Sequence, residues 1–179
     1  MERSVIIAGF GGQGVILAGK ILAQAGMNHG LEVTWLPSYG PEMRGGTANC
    51  TVVLSEETVG SPIVDEATSL IAMNLPSLDK FEGTVADGGT IVVNRSLIDR
   101  KVERSDVNAC YVPVNDIARD DVGNPRVINM VALGAFVKAT GAVPLEVVKE
   151  TMAESMRASG KDEFIEMNER ALEAGYNAA

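Results

Sequence analysis

A continuous apolar run from Val5 to Phe10, ending in a glycine turn, predicts a short central strand buried on both faces. The period then changes. From Gly14 to His29, Lys20, Gln24 and Asn28 recur as a single polar stripe while Val15, Leu17, Ile21 and Leu22 fill the remainder, which predicts a helix. Ala18, Gly19, Ala23, Ala25 and Gly26 keep that helix slim enough to lie close on a sheet, and Gly30 supplies a C-terminal stop. Leu31 to Leu36 predicts a second strand and so a β-α-β opening with a right-handed crossover. Thr47 to Leu54 predicts a third. Asn49, Thr51 and Ser55 fall on one of its faces, and Cys50, Val52 and Leu54 on the other.

Further along, Leu70–Met73, Thr90–Val93 and Cys110–Val114 predict three short strands. Between them Pro62–Ala67 and Pro76–Phe81 predict short helices with proline near the start, and Asp87-Gly88-Gly89 predicts a turn. The last third is helical. Val127–Thr140 is apolar nearly all round and should be buried, ending at Gly141; Pro144–Ala158 is amphipathic and stops at Gly160. Lys161–Ala174 sets Phe164, Ile165, Asn168 and Leu172 toward the body, with Glu163, Glu166, Glu169 and Glu173 outward. Strands alternating with helices predict an α/β fold: a Rossmann-like, doubly wound, mostly parallel sheet with flanking helices, one domain over residues 1–179.

Composition narrows the function. The chain is 46% apolar but only 4% aromatic, so its core must be aliphatic. A net charge of −9 disfavours nucleic-acid and anionic-membrane binding, both of which need a positive footprint. No apolar run reaches membrane-spanning length and the first strand begins at once, which leads us to expect a cytoplasmic protein without a signal peptide. Cys50 and Cys110 are too few for an iron–sulfur cluster, which takes about four cysteines, and read as reduced packing thiols. The single histidine, His29, sits at a helix end without ligating neighbours.

Gly9, Gly11 and Gly14 have the spacing G-x-G-x-x-G between strand and helix, where backbone N–H groups and the positive helix end can meet a phosphate. A dinucleotide site also needs an acid at the end of the second strand. Here that strand ends Leu36-Pro37-Ser38, with no acid before Glu42, so NAD or FAD is disfavoured. Gln13 both donates and accepts, which suits a turn that meets another polypeptide or an acyl-carrier group; a tight turn for close packing is the plainer alternative. Downstream, Pro41, Gly45 and Gly46 bound a loop carrying Glu42, Met43 and Arg44. Arg44 could clamp a phosphate or carboxylate, or pair with Glu42. Both motifs follow strand carboxyl ends and should lie side by side on the functional edge of the sheet. No set of side chains capable of catalysis by itself accompanies them.

Together Gly9-Phe10-Gly11-Gly12-Gln13-Gly14 and Ser38-Tyr39-Gly40-Pro41-Glu42-Met43-Arg44-Gly45-Gly46 resemble the gamma subunit of 2-oxoacid:ferredoxin oxidoreductases. Gly46–Thr51, Gly60-Ser61-Pro62, Asn74–Leu78 and Asn129–Ala135 are similar to the same family. The resemblance implies a multisubunit enzyme that oxidatively decarboxylates a 2-oxoacid to an acyl-CoA and reduces ferredoxin. Thiamine diphosphate, Mg, [4Fe-4S] clusters and CoA are then expected through alpha, beta and in some cases delta subunits, with nothing held firmly by this chain and no activity when it is isolated. By the match, Gly11, Gly12, Gln13, Tyr39, Glu42 and Arg44 belong to the subunit contact and the approach of CoA. Relatives acting on pyruvate resemble G-R-G-G-Q-G with F-G-P-E-R-R-G, from which this chain departs at Phe10, Tyr39 and Met43. It looks closer to those using 2-oxoglutarate or branched-chain 2-oxoacids, and 2-oxoglutarate is the expectation. A free-standing NAD- or FAD-binding domain and a purely structural adaptor are the alternatives. A docking face left without its partner would favour a homodimer of the isolated chain.

Overall fold

The computed structural model describes residues 1–38 and 47–179. They form six strands: β1 (Glu2–Phe10), β2 (Glu32–Ser38), β3 (Thr47–Ser55), β4 (Ala67–Ala72), β5 (Val85–Asn94) and β6 (Asn108–Val112). The helices are α1 (Val15–Asn28), α2 (Leu75–Phe81), α3 (Val114–Asp116), α4 (Ile128–Thr140), α5 (Leu145–Ala158) and α6 (Ile165–Ala178); a π-helical turn, Ile117–Val122, continues α3.

All six strands join one sheet in the order β2-β3-β1-β4-β5-β6. β1, β4, β5 and β6 pair in parallel, whereas β3 runs antiparallel to both β1 and β2. Five of the six strands therefore point the same way, as the apolar runs predicted. The β-α-β opening is present with one refinement: β1 and β2 are not neighbours, because β3 folds back between them. β3 serves two ladders at once, Arg3 and Val33 both lying opposite Leu54.

Alternation along the strands divides the core. Val5, Ile7, Cys50, Val52, Leu54, Ile71 and Val92 face a thick layer built from α1, α4, α5 and α6. Ile6, Ala8, Leu70, Ala72, Ile91 and Val93 face a thinner cover of α2 and the segment between β5 and β6, with Leu78 and Ile98 buried there. That segment is pinned by Glu82, whose Oε2 takes Arg100 Nη2 at 2.7 Å and whose Oε1 accepts the Glu103 N–H. Arg104 Nη1 donates to the Glu82 and Val85 carbonyls. α4 is buried along most of its length, which explains its lack of a polar face. No helix among the described residues is long and apolar enough to cross a membrane.

Three local expectations change. Pro62–Ala67 is not helical: the stretch is irregular and Ala67 already opens β4. Ile63, Val64 and Ala67 have helical spacing, but Ile63 is 71% exposed and Ala67 is buried as a strand residue, so the stretch has no apolar face to bury as a helix. Asp87-Gly88-Gly89 does not end a strand but forms a bulge within β5, between the pairs Ala67–Val85 and Ser69–Thr90. Gly88 there has φ 75°, the conformation that made the triplet read as a turn. Phe164 is exposed in the turn before α6, whereas Asn168 and Leu172 are buried as expected.

Candidate functional site

From β1 the chain winds to one side through β2 and β3, and to the other through β4, β5 and β6. The carboxyl end of β1 is thus the switch point of the sheet, where a crevice opens in such folds. The glycine loop occupies it. Gly12 (φ 92°) and Gly14 (φ 74°) both take left-handed backbone, and Gly14 is the N-cap of α1. Among the described residues no side chain caps this helix and no acid lies in its first turn, so its positive end is directed at the edge.

Gln13 gives the loop its shape. Its Oε1 accepts from the Phe10 N–H at 2.6 Å and its own N–H donates to the Phe10 carbonyl at 3.1 Å. A Cβ on Gly9 would sit 2.5 Å from that Oε1, so Gly9 makes room for the folded-back amide. The carbonyl side of Gln13 is spent within the loop, leaving only its Nε2 for an outside partner. Asn74, the N-cap of α2, approaches the same oxygen through Nδ2 at 3.5 Å. Asn129, on α4, donates to the Gly14 carbonyl at 3.3 Å. Sequence reasoning placed both asparagines at the head of family-like stretches but gave neither a role. The signals were an Asn one residue ahead of Leu-Pro at a helix start, and an amide in the first turn of a largely apolar helix.

Beside the loop lies a cleft of about 510 Å³, lined by Phe10, Gly11, Gly12, Ile16, Lys20 and Trp35 among others. Among the described residues a Cβ on Gly12 would meet nothing within 4 Å, which leaves the backbone there room for a ligand. Lys20 adds a cation and the two aromatic rings add flat walls. These are the parts that bind a phosphate next to an apolar or π-faced group. Lys20 and Trp35 were legible only as a helix stripe and a strand residue.

The second motif begins after Ser38 and ends before Thr47. Ser38 lies opposite Asn49, and Thr47 opposite Phe10, so both ends of the 39–46 segment stand at the glycine-loop edge. Gly11, Gly12 and Gln13 are thus placed together; Tyr39, Glu42 and Arg44 fall outside the described residues.

The cysteines sit apart, Cys50 on β3 and Cys110 on β6, with β1, β4 and β5 between them. At about 4.8 Å per strand they are on the order of 19 Å apart, which rules out a shared cluster. Burial pushes the Cys50 thiol up to about 12 and also raises Cys110, which is only half-buried. In the folded chain at pH 8 a thiol reagent should therefore modify Cys110 slowly and Cys50 only on unfolding. Rapid labelling of both, followed by mass spectrometry, would contradict this packing.

The chain matches the family model described as pyruvate ferredoxin/flavodoxin oxidoreductase over residues 4–178. It is 43% identical over 99% of its length to ketoisovalerate oxidoreductase subunit VorA of Methanothermobacter marburgensis, but covers only 37% of that relative. It is 33% identical to 2-oxoglutarate synthase subunit KorC of Methanocaldococcus jannaschii, covering 100% of this chain and 95% of the relative. The crystal structure of a keto/oxoacid ferredoxin oxidoreductase gamma subunit from Geobacter sulfurreducens superposes with a TM-score of 0.85 at 30% identity, covering 99% of this chain and 98% of that one. The chain belongs to the pyruvate ferredoxin/flavodoxin oxidoreductase family, on the branch of its gamma subunits.

Proposed function

We propose that this chain is the gamma module of a 2-oxoacid:ferredoxin oxidoreductase and that its glycine-loop edge both meets the catalytic companions and guides CoA. The observation that carries the reading is the start of α1, uncapped among the described residues, opening into a cleft with Gly11, Gly12, Lys20 and two aromatic walls. CoA, when bound, supplies the thiol that takes the acyl group. The residues present fit the phosphate-bearing part of such a molecule: the α1 N–H groups and Lys20 would hold negative charge, Phe10 and Trp35 would flank the apolar part, and Gln13 would keep the turn in shape. Arg44 would add a guanidinium from the adjoining segment. The separated thiols of this chain do not fit an iron–sulfur cluster, so such clusters would be held by the companions, as would thiamine diphosphate by the family resemblance.

In the assembled enzyme Arg44→Ala should raise the KM for CoA about tenfold, equivalent to about 1.4 kcal/mol of binding, while kcat changes little. Gln13→Ala should do the same by relaxing the loop. Normal kinetics in variants that assemble poorly would instead favour the adaptor reading.

For the substrate, the higher identity to the ketoisovalerate relative supports a branched-chain 2-oxoacid, whereas the end-to-end match to a separate 2-oxoglutarate synthase subunit supports 2-oxoglutarate. Reduction of ferredoxin or a viologen by the purified enzyme with each 2-oxoacid in turn decides between them.

A further inference from the structure

The glycine loop is one of three neighbouring turns at the carboxyl edge of the sheet, following β1, β4 and β5. Each presents one large apolar side chain to solvent: Phe10 is 40% exposed, Leu75 39% and Leu97 46%. Leu17 in the first turns of α1 and Leu36 near the end of β2 are exposed to a similar degree. No Asp or Glu falls within 9–14, 73–78 or 94–98; Asp79 and Asp99 directly follow two of these turns, and Asp116 accepts from Ser96 at 2.9 Å. Hydrogen bonds tie the three turns into one rigid rim: Met73 N–H to the Ala8 carbonyl at 2.9 Å, Asn94 Nδ2 to the Met73 carbonyl at 3.1 Å and to Asn115 Oδ1 at 2.7 Å. A preformed apolar row with its acids at the margin has the make-up of a protein interface, an apolar centre within a polar rim.

We propose that this rim, from Phe10 through Leu75 to Leu97, is the seat of the larger catalytic companion. Its occupant is the polypeptide that corresponds to the part of the ketoisovalerate relative this chain does not cover. In that relative the matching module is 37% of one continuous chain, so the remainder is covalently attached and close at hand to pack on it. The rim continues directly from the glycine loop. The proposal rests on the gamma-module reading and extends the contact across two further strand ends, so CoA would approach along the margin of a dry seam.

The test uses the chain tagged in its own cells and purified under gentle conditions, with companions identified and counted by mass spectrometry. Leu75→Asp with Leu97→Asp should reduce recovery of the companion about tenfold or more, since truncating or charging interface anchors has effects of this size. Ile63→Asp, on an exposed side chain at the opposite end of the sheet, should leave it unchanged. Hydrogen exchange on the unmodified protein gives a second readout: amides around 74–78 and 95–98 should be slower in the complex than in the isolated chain. Full companion content in the double variant, equal loss in Ile63→Asp, or unchanged exchange overturns the rim assignment while leaving the gamma-module reading intact. A rim buried instead in a homodimer also overturns it. An unmodified chain that brings no companion overturns both readings.

Discussion

Replacing Gly134 with alanine should lower the melting temperature by about 4–8 °C, although alanine is the better helix former. Intrinsic propensity alone would give a gain of about 1 kcal/mol. At this position an added Cβ would run into the backbone carbonyl of Leu172 on α6 and come within 3.0 Å of the Tyr176 nitrogen. Across the same crossing, a Cβ on Gly175 would meet the Val131 carbonyl of α4. Two glycines facing opposite backbones let these helices touch main chain to main chain, and backbone cannot rotate out of the way as a side chain can. Overpacking costs about 1–3 kcal/mol in ordinary cores, and the upper end applies here, leaving about 2 kcal/mol of net loss. At about 2–4 °C per kcal/mol for a protein of this size, that gives the stated shift. Gly83→Ala, where a Cβ meets nothing within 4 Å, should show no comparable drop. Equal melting temperatures for the two variants would mean that the α4–α6 crossing is looser than described.

Glu82→Ala should destabilise by about 3 kcal/mol, the range for a buried ion pair broken from one side. The side chain is 9% exposed and bonds Arg100 and the Glu103 N–H, so its removal strands a backbone donor and leaves the partly buried guanidinium with only the exposed Asp79 and the Lys101 carbonyl. Arg100 also reaches Asp79 Oδ1 at 2.7 Å, but Asp79 is 57% exposed, and Asp79→Ala should cost about 0.5 kcal/mol or less. The paired replacement Glu82→Leu with Arg100→Met removes both charges and should recover much of the loss. Denaturant melts of the three variants check the order. A double variant no better than Glu82→Ala would assign the stabilisation to packing of the 95–107 segment rather than to stranded charge.

Much of the sheet was legible because aliphatic runs bounded by glycine and proline have few other solutions. The placement of β3 was not. Its residues read equally well as a parallel or an antiparallel strand, and only pairing with both β1 and β2 decides. Pro62–Ala67 misled because proline at a helix start is a local signal, while a short helix needs an apolar face to bury. Asp87-Gly88-Gly89 was read for its backbone conformation, which is present, but flanking apolar residues kept the strand going past it. At the site, the glycines gave away the turn and the chain path gave away the edge. Gln13 could be identified as important, yet its inward-facing carbonyl depends on Gly9 and Asn74 arriving from β1 and α2, a three-dimensional fact.

Because β3 is hydrogen-bonded along its length to strands on both sides, it should tolerate no change of length. One residue inserted within Thr47–Ser55 would slip two ladders together and turn Cys50, Val52 and Leu54 from the α1 layer to the opposite face. Gaps in an alignment of relatives should therefore spare this strand, and lineages that change in length should do so outside it, without renegotiating the two ladders.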